Sequence, residues 1–328
     1  MGKTAVSKRK QPEGRKKSFW ERLKYDMRRN WPLCVMFLPV LIYYIIFSYT
    51  PMYGILLAFK DYKVKKGILG SPWVGFEHFE RFFSGYNFWG LMKNTLGISV
   101  YSLAVGFPIA IIFAIMLHYL TMNKLKKTVQ MVSYAPYFIS TVVICGMLSI
   151  FMDPVNGVFN TVRNLLGMES VGFLGVPGWF KSIYVWSGVW QGMGWSAIIY
   201  ISSLAGVDYE MHEAAIIDGA TKLQRIRHID LPTIQPTIIM LLIMNLGNLM
   251  SVGFEKVYLL QNDLNFATSD IISTYVYRVG LVNSDFGYST AVGLFNTLIN
   301  LLILVTANTV ARKATGESLK KKKKNIGS

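Results

Sequence analysis

The sequence predicts an all-α membrane protein with six transmembrane helices and both termini in the cytoplasm. Three observations carry this. The 328 residues are 52% hydrophobic with a mean hydropathy of +0.35, and only 16% are charged, against about 25% in an ordinary soluble domain. The apolar residues gather into six blocks, at 33–57, 94–119, 128–152, 182–206, 232–253 and 289–311. Each block is about 22–26 residues long, enough to cross about 30 Å of hydrocarbon at about 1.5 Å per residue. The third observation is the distribution of basic residues. With both ends inside, the inner segments hold 11 Lys and Arg in residues 1–32, 3 around Lys124, 3 around Arg225 and 7 in residues 312–324, which is 24 of the 34. That asymmetry obeys the positive-inside rule with an even number of spans.

Taken in order, residues 1–32 form a basic cytoplasmic arm led by Lys8-Arg9-Lys10, Arg15-Lys16-Lys17 and Arg28-Arg29. The arm is expected to be disordered to about Ser18, with a short amphipathic surface helix over Phe19–Asn30. It is not expected to be a cleaved signal peptide, because the apolar block that follows is too long and lacks a small-residue cleavage site. Residues 33–92 supply the first span and a long, aromatic-rich outer loop. Residues 93–311 hold the other five spans, and 312–328 form a basic tail. Two further outer segments are long, 153–181 and 254–288. The first carries a small amphipathic run, Val158, Phe159, Val162, Leu165 and Leu166. Prolines 39, 108, 136, 232 and 236 fall within the blocks, where neighbouring helices can re-satisfy the freed carbonyls.

The net charge of +16 does not point to nucleic acid. Basic tails flanking apolar spans meet anionic lipid and set topology. The two cysteines, Cys34 and Cys145, lie in separate blocks and give neither a disulfide framework nor a metal spacing. His78, His118, His212 and His228 share no metal-ligand spacing, and no metal or catalytic site is expected. HExxH, GxSxG and GxxxxGK[ST] are absent from the sequence, so no P-loop of this chain can cradle a nucleotide. No Asp, Glu, Lys or Arg falls within the six blocks as drawn. That argues against proton relays, voltage sensing and intramembrane acid–base catalysis.

The blocks do hold neutral polar and aromatic residues, among them Tyr134, Tyr137, Trp190, Asn245, Asn248 and Asn296. Amides and flat rings suit a polyhydroxylated ligand, whose hydroxyls need hydrogen bonds and whose ring face packs on an aromatic. The same residues serve equally as interhelical glue and packing, and both readings stand at this point.

The longest polar stretch between two apolar blocks is Asp208–Pro236. Asp208 is placed to cap a helix over about Tyr209–Asp218, with Glu210 in its first turn. Ala214 and Ala215 let another surface approach the backbone, Glu213 offers a strong acceptor, and Gly219 stands where a helix ends with positive φ. A second short helix from Thr221 to His228 runs into Leu231-Pro232. So short a helix is not stable alone, so the stretch forms a knob held by neighbours.

The spacing of Glu213, Ala214, Ala215, Asp218, Gly219, Ala220, Ile229, Leu231, Pro232 and Pro236 resembles the EAA loop of permease subunits in binding-protein-dependent ABC importers of the type I class. Asn94-Thr95 looks like the opening of the shared permease domain, and Tyr134–Ser140, the run around Tyr275–Arg278 and Phe286–Phe295 look like the carbohydrate-uptake branch, whose members take up oligosaccharides including pectin- and alginate-type saccharides. Tyr209 and Ile226 depart from the pattern, which often has proline and phenylalanine there. The resemblance implies a type I importer permease fold over 93–311, with a coupling segment at 208–230. It also implies a bacterial plasma-membrane location and a pore shared with a second permease subunit, often as a heterodimer. Glu213, Ala214, Ala215, Asp218, Gly219, Leu231 and Pro232 would dock on a cytoplasmic ATPase dimer, which would hold the ATP and Mg that this chain does not. An extracytoplasmic solute-binding protein would deliver substrate to the outer loops. A permease for another small solute, a self-contained carrier or channel, and a membrane-embedded enzyme are the alternatives.

Overall fold

The structure is a computed structural model that describes residues 27–324, with side-chain environments to Lys313. The arm to residue 26, including most of the surface helix expected at Phe19–Asn30, lies outside the described residues, as do residues 325–328. The chain divides into two units, one ending at Ile55 and one beginning at Leu56. Among the described residues the regular structure is helical, apart from an isolated bridge between Lys60 and Trp73.

Helix α1, Trp31–Tyr44, belongs to the first unit. It runs on as a wide π turn, Ile45–Tyr49, and then a tighter 3-10 stretch, Thr50–Phe59. Pro51 has no N–H for the ladder, and the Thr50 hydroxyl donates to the Ile45 carbonyl at 2.8 Å.

The second unit opens with α2, Glu77–Ser84, and α3, Phe88–His118. Next come α4, Asn123–Tyr134, α5, Thr141–Phe151, and α6, Val158–Leu165. Helix α6 is the amphipathic run expected in the second outer segment. Helix α7, Phe180–Leu204, is followed by α8, Tyr209–Ile217, α9, Lys222–Arg225, and α10, Leu231–Gly247. Helices α11, Phe254–Leu260, α12, Phe266–Ser269, and α13, Ile272–Tyr277, fold the third outer segment. The chain ends in α14, Phe286–Lys324.

Among the described residues, four helices are long and apolar enough to cross a membrane: Trp31–Phe59, Phe88–His118, Lys222–Gly247 and Phe286–Lys313. The remaining two expected spans differ. The block at 128–152 is not one straight helix but two segments, Asn123–Phe138 and Thr141–Phe151, set at 99°. The break has a local cause. Pro136 withholds a donor, Ile139 is extended (φ −78°, ψ 129°), and Ser140 starts a new helix by accepting from Val143 N–H at 3.4 Å. Helix α7 has the length of a span, but Ser, Gly and Gln interrupt its apolar run. Its main packing is against α3, and Ala197, Tyr200 and Leu204 are enclosed there with Ala110, Ala114 and Ile234. A helix covered by protein need not be uniformly apolar.

Buried asparagines tie down the outer segments. Asn94 Nδ2 donates to the carbonyls of Ala267 (2.9 Å) and Asp270 (3.1 Å), while Thr95 Oγ1 accepts from Ile272 N–H at 3.1 Å. Asn160 bridges Asp153 and Val171, and Asn265 reaches Leu174 and Leu260. Asp270 pairs with Arg278 at 2.6 Å and accepts from Thr274 at 2.8 Å. Each irregular backbone group in these segments would be costly if unpaired near lipid, and the amides supply the partners.

Gly194 is where α4 touches α7. A Cβ there would run into the Ser133 backbone carbonyl, whereas one at Gly146 would meet nothing within 4 Å. Alanine is favoured over glycine in a helix by about 0.8–1 kcal/mol, so Gly146→Ala should leave the solubilised protein as stable or slightly more so. Gly194→Ala should reverse that sign and lower stability by about 1–3 kcal/mol through overpacking. Thermal unfolding of the two variants in one detergent checks this; equal shifts would contradict the close contact.

Candidate functional site

Two neighbourhoods hold the residues singled out by sequence: the polar segment between α7 and α10, and a cavity along the α3–α7 seam.

The polar segment is built from local hydrogen bonds. Asp208 Oδ1 accepts from Glu210 N–H at 3.0 Å and starts α8. At the other end Gly219 has φ +78°. Ala220 N–H reaches the Ala215 carbonyl at 2.8 Å and Gly219 N–H the Ile216 carbonyl at 3.0 Å, the paired bonds of a Schellman cap. A Cβ at 219 would meet nothing within 4 Å, so the requirement for glycine is conformational. Thr221 and Gln224 then form a reciprocal capping box. Helix α9 leads through a π turn, Ile226–Asp230, directly into α10. The helix that carries the expected fifth span therefore begins at Lys222 rather than at residue 232, and the knob is continuous with it.

Helix α8 points one residue inward. His212 is buried, while Glu213 and Ala214 are exposed and Ala215 is half-buried. Asp218 and Gly219 are exposed, Leu231 is half-buried against the α3–α7–α10 core, and Pro232 is exposed. Tyr209, Ile216, Ile217 and Leu223 present 52–86% of their surface, an apolar set around Glu213 on the outer face of the knob.

What holds the knob is a buried carboxylate. Asp230, fully enclosed, lies 3.1 Å from His212 Nε2 through Oδ1, and accepts from the Tyr119 hydroxyl at 2.7 Å through Oδ2. Tyr119 directly follows α3, so one side chain joins α3, α8 and the start of α10. Burial first, and then the bond to Asp230, push the Tyr119 phenol above its usual range. The Arg225 guanidinium sits 5.6 Å from the Tyr119 ring centre. The histidines lack metal spacing in sequence, yet the fold brings His118 and His212 beside Asp230 with one ligand atom each within 4.8 Å of one another. Internal hydrogen bonds already engage both Asp230 oxygens.

The cavity measures about 960 Å³ and is walled by α3, α7, α10 and the start of α11. Ser99, Ser102, Gln191, Asn245 and Asn248 give it neutral polar groups, and Trp195 and Phe254 give it aromatic faces. Asn245 and Asn248, singled out in the sequence, are among these lining residues. Tyr134, Tyr137, Trp190 and Asn296 do not line it. Tyr137 stacks on the back of Trp195, with centroids 4.4 Å apart and planes 2° apart. Gln191 Nε2 donates to the Ile139 carbonyl at 3.1 Å and ties the α4–α5 break to the wall. Sequence reasoning missed Tyr119, His212, Asp230 and Lys256. Asp230 stands in the sequence as an acid just before Leu231-Pro232, but no local pattern singles out Lys256.

Residues 106–316 match the family described as binding-protein-dependent transport system inner membrane component. The chain is 39% identical over 293 residues to Protein LplB of Bacillus subtilis (strain 168), covering 89% of this chain and 92% of the relative. It is also 39% identical to the polygalacturonan/rhamnogalacturonan transport system permease protein YteP of the same organism, covering 93% and 95%. Among solved structures it resembles a chain of a bacterial ABC transporter involved in the import of the acidic polysaccharide alginate. That match has a TM-score of 0.84 and 39% identity, and covers 90% of this chain and 99% of the other. A second similar structure is the alginate transporter in complex with an alginate pentasaccharide-bound periplasmic protein, with a TM-score of 0.83.

Removing the Tyr119 hydroxyl should cost about 1.5–3 kcal/mol, the usual range for a hydrogen bond to a charged group. Asp230→Ala should cost more, about 3–5 kcal/mol, because it strands both donors. Chemical or thermal unfolding of the solubilised variants measures both. If Tyr119→Phe and Asp230→Ala lost the same amount, His212 would contribute nothing to the node.

Proposed function

This chain belongs to the family of binding-protein-dependent transport system inner membrane components, and from that premise we propose that it is a pore-forming permease subunit of an ATP-driven oligosaccharide importer in the bacterial plasma membrane. A second permease subunit completes the pore. A cytoplasmic ATPase dimer, with its own ATP and Mg, supplies the energy, and an extracytoplasmic binding protein supplies the substrate. The topology in this reading is six spans with both termini in the cytoplasm. The concentration of Lys and Arg in alternate segments supports it.

The observation that carries the proposal is the construction of the knob. Glu213 and Ala214 lie exposed on α8 amid apolar side chains, and the chain runs unbroken from Lys222 to Gly247. A push on α8 reaches α10 by two routes, through the backbone and through His212–Asp230. Asp230 also binds Tyr119, so α3 feels the same push. In this reading ATP-driven closure of the ATPase dimer moves the knobs, and the membrane helices follow as levers. Chemistry inside the membrane is unnecessary, which fits apolar blocks without carboxylates or cations. The neutral polar cavity then gives the sugar hydroxyls and ring faces a place to pause. The names of the similar proteins, two of them concerned with pectin-type or alginate polysaccharides, favour an oligosaccharide over other small solutes.

Glu213→Lys should abolish substrate-stimulated ATP hydrolysis in the reconstituted importer while the chain still inserts and keeps its fold. Gly219→Val should behave similarly, because a β-branched residue resists φ +78°; Gly219→Asn should retain more activity, since asparagine tolerates that region. Normal coupling by the Glu213→Lys protein would sink the docking assignment.

A further inference from the structure

Lys256 is an ammonium group placed against the wall of the cavity with its charge uncompensated. It is 8% exposed, on the first turn of α11. Its Nζ donates to the Tyr184 carbonyl at 3.0 Å and lies 4.9 Å from the Tyr184 ring centre. Among the described residues no carboxylate lies within 4.0 Å of it. An ammonium carries three donors, and a buried cation without an anion is disfavoured unless something else balances it.

The surroundings leave the charge open to the cavity. The Nζ packs over Gly188, where an added Cβ would sit 3.4 Å away. Gly188, Tyr184 and Lys256 all line the cavity, and among the described residues Lys256 is the one Lys or Arg in that lining. The groups facing it are Tyr184 from α7, Cys145 from α5 and, on its own helix, Glu255. Glu255 is exposed and also lines the cavity, but as the adjacent helical residue it leaves the helix about 100° from Lys256, and no ion pair within 4.0 Å joins the two. Burial pushes the Lys256 ammonium down to about 8, so it is charged at neutral pH and loses its charge in mildly alkaline solution.

We propose that Lys256 is a specificity-determining residue that contacts the carboxylate of an acidic oligosaccharide, a uronate-bearing chain, as it passes through the cavity. This rests on the oligosaccharide reading above and narrows it. A single ammonium matches a monoanion, whereas phosphate groups are generally met by several donors or by arginine forks. The rest of the wall suits the remainder of a uronate: serines and amides for hydroxyls, and Trp195 for a ring face. Lys256 is nearly enclosed, and a charge pair formed at a desolvated group acts more strongly than one in bulk water. The flexible lysine stem also lets the contact move with a translocating ligand.

The test compares two probes in proteoliposomes containing the assembled importer and its binding protein: trigalacturonate and its fully methyl-esterified counterpart. The binding protein is the same for every variant, so its own selectivity cancels when variants are compared. Lys256→Gln should lower trigalacturonate transport by about tenfold or more and leave the ester unchanged, and Lys256→Arg should retain acid transport. If Lys256→Gln loses both probes through misfolding, the wild-type pH profile decides. The acid-to-ester ratio should then fall between about pH 7 and about pH 9 as the ammonium deprotonates. An unchanged ratio in Lys256→Gln, or a flat wild-type profile, would overturn the role of Lys256 and leave the permease reading intact. Wild-type importer that moves neither probe would overturn the oligosaccharide reading, and the role of Lys256 with it.

Discussion

The arrangement depends on one buried carboxylate. Asp230 is fully enclosed, and both its oxygens are engaged, one by Tyr119 at the end of α3 and one by His212 on α8. A buried acid without partners is expensive, so the three segments are held in one geometry or all three pay. Because α8 has only nine residues, it has little helical stability of its own. Its fixed attitude comes from this node and from the caps at Asp208 and Gly219. The outer face of α8, with Glu213, Ala214 and its apolar neighbours, stays exposed, as the proposed docking on an ATPase requires.

The same economy of polar groups recurs on the other side of the bundle. Asn94, Asn160 and Asn265 each satisfy backbone groups of irregular segments, and Asp270 is matched by Arg278 and Thr274. In each of these three asparagines both amide N–H donors are used internally. The cavity is different in kind. Its amides and the Lys256 ammonium each donate to a backbone carbonyl and also line open space, so part of their hydrogen-bonding capacity is left over. The break between α4 and α5 belongs with the cavity, because Gln191 and the Tyr137–Trp195 stack tie it to the wall.

Much of the local structure was legible in the residues. The amphipathic run at Val158–Leu165, the start of α8 at Asp208 and its end at Gly219 follow from caps and periodicity within a few residues. The break in the block at 128–152 had its signal in Pro136, but proline is tolerated in membrane helices, and Pro108 sits inside the continuous α3. What distinguished the two was the extended Ile139 and the new cap at Ser140. The polar and aromatic residues suited to a polyhydroxylated ligand divide for a related reason. On a helix surrounded by other helices, composition names the residue types but not the side that faces a cavity, so Asn245 and Asn248 line it while Tyr134, Trp190 and Asn296 do not.

Sequence by itself determined the helical class, the apolar blocks, the biased placement of Lys and Arg, and the internal hydrogen bonds of the Asp208–Pro236 knob. All of these rest on composition or on contacts within a turn or two, and backbone hydrogen bonding is short-ranged. Only the tertiary structure decided which polar groups are buried and what answers them. Asp230 finds its partners 18 and 111 residues away, and Lys256 rests on a carbonyl 72 residues distant. The desolvation that makes those groups consequential exists only once distant helices have packed around them.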